Sequence, residues 1–438
     1  MRVAIAIAVL AGAGFALAQA GGAPELRAVS APADGIEAPS GALLAAAELD
    51  GPARLMWVRR GTLRPAVPPL RLDEEFVADF ALSPDGRRMA LGAEMRGRIE
   101  LVDLHRWRRL GAIALPGPRP PAAGGASGLV WTSPRRLLAL SGLAYGAPAT
   151  PVVVDPVRRR VLHEADWRGT PLQPHAAGDR LVFLAAPQGR SRQGRARLVS
   201  YDATGRLREL RLGRIEAGTW RSGGAPWQHV EPALAVSRNG RRAYVVSGDA
   251  RLVAEIDLRG WRVVYHELSE PVSAMRRLLD LVEAPAHAKK PVDSQVRRAE
   301  VLPNGAIAVT GEDTRATDPP HGAPPIPFGV WLVDPRAWTL RAVDRDAQDF
   351  TVAGGRLLAR RWSMAGGQRP IGLRAYDTAG TLRWSRFEGA DTIVRGAAGR
   401  SAYVEVKRGG RRRIHVLELD SGRTVRTLRW RGLRLLER

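Results

Sequence analysis

The sequence contains no cysteine among its 438 residues. Disulfide bonds, thiolate metal sites and a cysteine nucleophile are therefore excluded. A lipid anchor attached to a cysteine after export is excluded for the same reason. The folded state must be stabilised by the burial of apolar side chains and by hydrogen bonds.

Lysine is almost absent, because only Lys289, Lys290 and Lys407 are lysines among 67 basic residues. The formal net charge is nevertheless +23. One explanation is a GC-rich genome, which replaces lysine codons by arginine codons. The other is an anionic partner, since a strongly basic protein is attracted to cell-surface polymers, to lipid headgroups or to nucleic acid as a non-specific polyanion. The sequence leaves both open.

Long apolar runs are also absent, except at the N-terminus. Met1 and Arg2 precede small apolar residues at 3–18, and Ala18-Gln19-Ala20 is the pattern that signal peptidase accepts. We therefore predict a signal peptide over residues 1–20, a mature chain that begins at Gly21, and an N-terminal extension over 21–40. No later run approaches the roughly 20 residues of a membrane-spanning helix. A monomer located in the periplasm, on the cell surface or in the medium is expected.

One sequence repeat, which predicts two β-hairpins, recurs along the mature chain. A first hairpin turns at Asp-Gly or Asn-Gly, both of which tolerate positive φ. A second hairpin turns at an aspartate whose carboxylate can accept backbone N–H bonds. In three copies a tryptophan follows this aspartate by four residues: Asp103 and Trp107, Asp257 and Trp261, Asp334 and Trp338.

The spacing of these aspartates predicts the architecture. They occur at Asp103, Asp155, Asp202, Asp257, Asp334, Asp377 and Asp420, mostly 43 to 55 residues apart. Four short strands per repeat of this length are typical of β-propeller blades. We predict an all-β propeller over 41–438 with eight four-stranded blades, the first of them completed by residues 433–436. Seven blades remain the alternative, if the N-terminal segment is an accessory hairpin.

Residues 82–88 (LSPDGRR) and 236–245 (VSRNGRRAYV) resemble the repeats of YVTN-type and WD-repeat-like propellers of bacterial extracytoplasmic proteins. This resemblance implies the fold, but such propellers include scaffolds, binding proteins and enzymes. Residues 375–384 (AYDTAGTLRW) resemble a blade of quinoprotein-type propellers. The adjacent cysteines typical of those enzymes are missing here, so no quinone or other cofactor is predicted.

The repeat is interrupted most strongly over residues 269–298. The spacing of Val272, Met275, Leu278, Leu279 and Val282 predicts a helix over about 270–284. This helix could pack its apolar face on the blades, or it could act as a lid or docking element. In the second interpretation Arg276, Arg277, Lys289 and Lys290 would contribute cationic contacts to a binding site.

A second interruption, over residues 218–230, contains Trp220, Trp227 and His229. These side chains could form a recognition surface together with nearby arginines, because loops on a rigid scaffold carry specificity. Alternatively, the aromatic rings simply cover blade edges. The sequence does not decide between these interpretations.

No catalytic or metal-binding motif is present in the mature chain, so no catalytic and no metal-binding residue is predicted. Two hypotheses remain. The favoured one is a non-catalytic binding or scaffold propeller for a protein or an anionic polymer. The other is a hydrolase, lyase or oxidoreductase whose site converges from several blades at the central channel.

Overall fold

The computed structural model describes fourteen ranges of the chain: 37–38, 41–47, 53–72, 77–93, 97–116, 125–142, 148–167, 169–187, 194–220, 228–269, 294–314, 326–363, 369–429 and 433–436. These ranges contain strands and turns and no helix. The helix predicted over about 270–284 and the signal peptide over 1–20 lie outside the described residues. Within the described ranges, no helix is long and apolar enough to cross a membrane.

The first three quartets of antiparallel strands follow one another along the chain. Apolar residues fill their two middle strands, which are nearly completely buried. The first quartet contains β1 (Leu43–Ala47), β2 (Arg54–Val58) and β3 (Leu70–Arg71), and it is completed from the C-terminus. The second contains β4 (Val77–Leu82), β5 (Arg88–Ala93), β6 (Arg98–Asp103) and β7 (Arg108–Ala114). The third contains β8 (Gly125–Ser133), β9 (Arg136–Gly142), β10 (Ala149–Asp155) and β11 (Arg160–Glu164).

The middle of the chain departs from this regular order. A quartet of β12 (Thr170–Ala177), β13 (Arg180–Ala186), β14 (Gly194–Asp202) and β15 (Leu207–Trp220) is followed by the short β16 (Gln228–Glu231). A separate quartet contains β17 (Ala233–Val236), β18 (Arg242–Val246), β19 (Leu252–Asp257) and β20 (Arg262–Glu267). The next strands are β21 (Ser294–Val301), β22 (Ile307–Thr314), β23 (Ile326–Pro327), β24 (Val330–Asp334) and β25 (Thr339–Asp344).

Two regular quartets and a closing strand end the chain. The first of these quartets contains β26 (Ala347–Ala353), β27 (Arg356–Ser363), β28 (Arg369–Asp377) and β29 (Leu382–Arg386). The second contains β30 (Asp391–Ala398), β31 (Ser401–Arg408), β32 (Arg411–Glu418) and β33 (Thr424–Arg429). The closing strand β34 (Leu433–Leu435) pairs antiparallel with β1, with Ala45 opposite Leu435. The predicted completion of the first blade by residues 433–436 is confirmed.

The protein is an all-β propeller of four-stranded blades. Its described residues form six separate four-stranded sheets and one ten-stranded sheet. The separate blades therefore number six, and not the eight, or alternatively seven, that the aspartate spacing predicts. The difference arises because β16 pairs with β15 on one side and with β21 on the other, which joins two sets of strands into one sheet.

Alternate turns of an antiparallel quartet lie at opposite ends of its strands. The end of a quartet that carries the turns between its first and second and between its third and fourth strands is here called the turn face. The opposite end carries the connection between the second and third strands and the chain that leads to the next quartet, and it is called the loop face. First strands of neighbouring quartets contact one another, for example β4 with β8 and β17 with β21, so they line the centre of the ring. Apolar clusters fill the space between neighbouring quartets.

The Asp-to-Trp turn binds its own strands to strands that precede them, through Trp107 to the Pro68 carbonyl and through Trp261 to the Glu209 carbonyl. Asp257 accepts the backbone N–H of Arg259 at its Oδ1 (2.9 Å), and the N–H of Trp261 donates to the Asp257 carbonyl (2.7 Å). Trp261 adopts a left-handed backbone (φ 55°), and its Nε1 donates to the carbonyl of Glu209 in the preceding blade (3.2 Å). The four-residue spacing seen in the sequence is therefore structural.

Candidate binding site

The most irregular part of the propeller is a hairpin that crosses one blade at its loop face. β15 continues for 14 residues, and its last three residues pair with β16. β16 then runs parallel to β21, with Val230 opposite Gln295. A Cβ on Gly248, in the β18–β19 turn, would lie within 3 Å of both of these side chains. The hairpin therefore lies on the loop-face end of the quartet β17–β20.

His229 connects this hairpin to the interior through polar contacts. Its Nδ1 lies 2.7 Å from Thr219 Oγ1, and its Nε2 lies 3.8 Å from Glu231 Oε2. The His229 side chain is 38% exposed, whereas Glu231 is 17% exposed. Gln173 Nε2 donates to Glu231 Oε1 (3.1 Å), so the polar chain continues inward. His229 is thus the surface end of a partly buried polar network.

Gln173 joins the three strands β12, β17 and β21. It occupies a bulge in β12 with a positive φ of 48°. Its Oε1 accepts the N–H of Leu234 in β17 (2.9 Å), and its Nε2 donates to the carbonyl of Arg297 in β21 (2.6 Å). A partly buried amide that satisfies several backbone groups fixes their relative positions. Gln173 therefore holds β12, β17 and β21 together.

Arg297 is the largest fully buried side chain among the described residues, at 1% exposure. Its guanidinium lies 3.9 Å from the ring centroid of Phe328, and Nη2 forms an ion pair with Asp313 Oδ1 at 2.5 Å. Nη1 donates to the carbonyl of Glu312 (3.0 Å). Burial lowers the pKa of Arg297, and the charge of Asp313 opposes that effect. The charge of Arg297 is thus compensated by Asp313 and lies against the ring of Phe328.

Phe328 also belongs to an open groove of about 620 Å³ between the quartet β17–β20 and the strands β21–β25. The floor of the groove is apolar and its rim carries charges of both signs. The floor residues are Leu252, Leu268, Phe328, Trp331 and Leu340. The charged residues are Arg214, Arg251, Asp249 and Glu267.

The rim and floor side chains are held in defined positions. Arg214 and Glu267 form an exposed ion pair (2.8 Å). Asp249 Oδ1 accepts the N–H of Arg251 (3.1 Å), which shapes the turn at the rim. Trp331 Nε1 donates to the Phe328 carbonyl (2.9 Å), so the two rings keep their relative orientation. A preformed concave surface of this kind suits recognition.

The structure places only some of the predicted binding residues. His229 lies in β16, and Trp220 is the last residue of β15, where its backbone pairs with Gln228. Arg276, Arg277, Lys289, Lys290 and Trp227 lie outside the described residues. Near the two ends of the segment 270–293, Leu268 lines the groove and Ser294 pairs with His229 in β16.

Several residues that build this site are missed by sequence patterns. Arg297 and Arg298 are adjacent basic residues, and arginine side chains are mostly exposed, yet Arg297 is buried. Gln173 carries no motif, and the bulge that directs it inward has no sequence signature. Phe328 and Trp331 follow a proline-rich segment, and this segment is the only feature of the sequence that indicates a departure from the blade repeat there.

Carboxylates elsewhere are balanced by arginines. The sequence 344–349 has some likeness to a calcium loop, but Asp344 Oδ2 instead lies 2.9 Å from Arg361 Nε and accepts the Tyr376 hydroxyl (2.6 Å). Within the described ranges, no group of three or more His, Asp or Glu side chains could hold a metal ion. The hypothesis of a catalytic site at the channel remains a prediction.

No family model matches the chain, and no curated protein matches it. Solved structures resemble it in fold. Dihydro-heme d1 dehydrogenase NirN, solved in complex with DHE, is 13% identical with a TM-score of 0.56, over 89% of this chain and 73% of that one. The likeness shows the propeller fold alone.

Two further solved structures show weaker similarity. The Cps50 (Swd1) β-propeller domain of Myceliophteria thermophila is 12% identical, with a TM-score of 0.38 over 78% of this chain and 93% of that one. A prolyl endopeptidase is 14% identical, with a TM-score of 0.43 over 88% of this chain and 46% of that one. These neighbours differ in function, so they assign none to this protein.

Proposed function

We propose that this protein is an extracytoplasmic binding propeller that holds an extended segment of a protein partner in the groove. The observation that carries the proposal is the apolar floor around Trp331, which lies open between two rigid sets of strands. Protein interfaces characteristically have an apolar, aromatic centre and a polar rim. The groove has both features.

The charges at the rim favour a peptide over the other ligand classes. Asp249 and Glu267 would repel a polyanion, although Arg214 and Arg251 would attract it. A small apolar ligand would leave these charges without a function. A peptide can place an apolar side chain on the floor and pair its own charges and backbone groups with the rim.

We infer that the ten-stranded sheet supplies two further blades, which gives the eight that the sequence predicts. Two antiparallel sets within it, β12–β15 and β21–β25, have the strand order of a blade, and β16 merely links them. First strands contact one another on both sides of the intervening quartet, through β12 with β17 and β17 with β21. Eight first strands would then line the channel.

Peptides selected on the protein from a random display library provide a probe for the groove. We expect Arg251→Glu to weaken binding of a selected peptide by roughly tenfold or more, because loss of a rim charge pair typically costs a kcal/mol or more. Arg259→Glu makes the same charge change on the turn face and should leave the affinity unchanged. Fluorescence anisotropy measures both. Equal affinity for the two variants would show that selected peptides bind elsewhere.

The proposed export of the protein is tested by an experiment that does not depend on the groove. If residues 1–20 direct secretion, the exported protein should begin at Gly21, because signal peptidase cleaves after the small residue of Ala18-Gln19-Ala20. Intact-mass spectrometry of protein from the extracytoplasmic fraction decides this. A mass that includes the first 20 residues, or recovery only from the cytoplasm, would contradict the proposed location.

A further inference from the structure

In the quartet β30–β33, arginines occupy directly opposite positions on neighbouring strands. Arg408 lies directly opposite Arg411 in the β31–β32 hairpin, and Arg413 lies opposite Arg429 in β33. All four side chains are exposed. Like charges in directly opposite positions destabilise a sheet, so this arrangement has a cost for folding.

At four other positions the register places an arginine opposite an aspartate. At the turn face, the second strand of a quartet often begins with an arginine opposite the aspartate that ends the third strand. Pairs of this kind are Arg88 with Asp103, Arg180 with Asp202, Arg242 with Asp257 and Arg356 with Asp377. These four arginines are therefore compensated across the strands, whereas those in the hairpin at the loop face of β31–β32 are not.

The two sides of this hairpin differ. Arg412 points to the side that contains buried Glu405, and its Nη1 lies 3.5 Å from Glu405 Oε1. Arg395 binds the same carboxylate (2.5 Å). On the other side, Arg411, Arg413 and Arg429 form no ion pair with any residue in the described part of the chain. The uncompensated charge is thus confined to one side of the sheet.

We propose that Arg408, Arg411, Arg413 and Arg429, here called the arginine ladder, bind the backbone of a linear phosphodiester polymer. The two cross-strand pairs are two residues apart along β32, which corresponds to roughly 7 Å in an antiparallel strand. Each pair can therefore hold one of two successive phosphates, and guanidinium groups bind phosphate oxygens in a bidentate manner.

Genome composition does not explain this placement. A bias toward arginine codons would distribute arginines without regard to strand register, and it accounts for single arginine pairs such as Arg54 with Arg71 and Arg197 with Arg211. Among the described strands, two such pairs in succession on one side of a sheet occur at β31–β33 alone. The four arginines lie on one side of the three strands β31–β33 and form no ion pair with the described residues, although Arg408 donates to the Glu388 carbonyl (2.6 Å). The ladder is also separate from the groove, so this inference does not depend on the proposed peptide site.

The test uses two probes that share a phosphodiester backbone, poly(glycerol phosphate) and oligo(dT). Replacing Arg411 and Arg413 by glutamate should abolish binding of both. It should also create opposite-charge pairs with Arg408 and Arg429, so the variant should melt no lower than the wild type. Loss of binding in a protein of unimpaired stability cannot then be attributed to misfolding.

Matched serine variants measure the number of contacts. Arg411→Ser, Arg413→Ser and Arg429→Ser together should reduce the slope of log affinity against log salt by up to about 1.4, at about 0.7 for each of the two phosphates on a single strand. The control removes three exposed turn-face arginines, Arg106→Ser, Arg259→Ser and Arg336→Ser, and should change the slope little. Equal effects of the two triple variants would overturn the proposal, as would binding of oligo(dT) but not of poly(glycerol phosphate).

His415 provides an independent readout beside the ladder. Burial, and then the charge of Arg413, lower the pKa of this histidine. A bound polyanion would offset the charge of Arg413, so the pKa of His415 should rise on addition of poly(glycerol phosphate). Histidine ring signals in NMR titrations report the change. An unchanged pKa in the saturated complex would show that the polymer binds away from β32.

Discussion

Removal of residues 433–438 is expected to destabilise the propeller by about 5 kcal/mol or more, because the ring depends on β34. Leu435 and Leu436 are 4% and 1% exposed, and burial of a leucine side chain contributes roughly 1.5–3 kcal/mol. The strand also pairs with Ala45, Ala46 and Ala47 of β1. Its loss leaves an open edge on β1, which promotes association between chains.

The matched control is a chain that ends at Leu436. It lacks only the last two residues and retains β34, so its denaturant midpoint should equal that of the full chain. The shorter variant should show a reduced midpoint and a tendency to aggregate in size-exclusion chromatography. If both truncations had the same stability, β34 would contribute nothing to closure and the pairing with β1 would be incidental.

The blade repeat was predictable because its signals are local. Asp257 and Trp261 lie within one tight turn, so the hydrogen bonds that shape it depend only on residues close in sequence. Asn-Gly and Asp-Gly turns are equally local. Pairing of residues 433–436 with the first blade was also predictable, because an incomplete first blade requires a strand from elsewhere.

The joined sheet and the groove could not be predicted in this way. The link depends on β16, four residues that pair with β21 across more than 60 positions of sequence. Arg297 is read as a surface charge because neighbouring Arg298 is also basic, whereas its burial depends on Phe328 and Asp313. Such contacts arise from the packing of blades and leave no local pattern.

The arginine cluster at 411–413 likewise shows that a local sequence pattern does not reveal which residues a side chain meets on neighbouring strands. In the sequence its three members are equivalent. Strand alternation separates them, because Arg411 and Arg413 share one side of β32 while Arg412 faces Glu405 on the other. Only the cross-strand register shows that Arg413 meets Arg429.

Asp313→Asn is expected to cost about 3–5 kcal/mol, because it leaves the buried Arg297 charge without its partner. Removal of the charge itself should be less harmful. Arg297→Met keeps much of the side-chain volume next to Phe328 and leaves no buried cation. We therefore expect Arg297→Met to be the more stable of the two single variants.

A double-mutant cycle isolates the pair. Once Arg297 is methionine, Asp313→Asn should have little further effect, so the two substitutions should be strongly non-additive in urea unfolding. Glu267→Gln is the control: it breaks the exposed ion pair with Arg214, and such surface pairs contribute about 0–1 kcal/mol. A cost for Asp313→Asn as small as that of the control would mean that Arg297 is accommodated by the Glu312 carbonyl and the Phe328 ring without Asp313. Burial of this arginine would then depend on the backbone of β22 and on the Phe328 ring, and the groove beside it would keep its shape when the ion pair is lost.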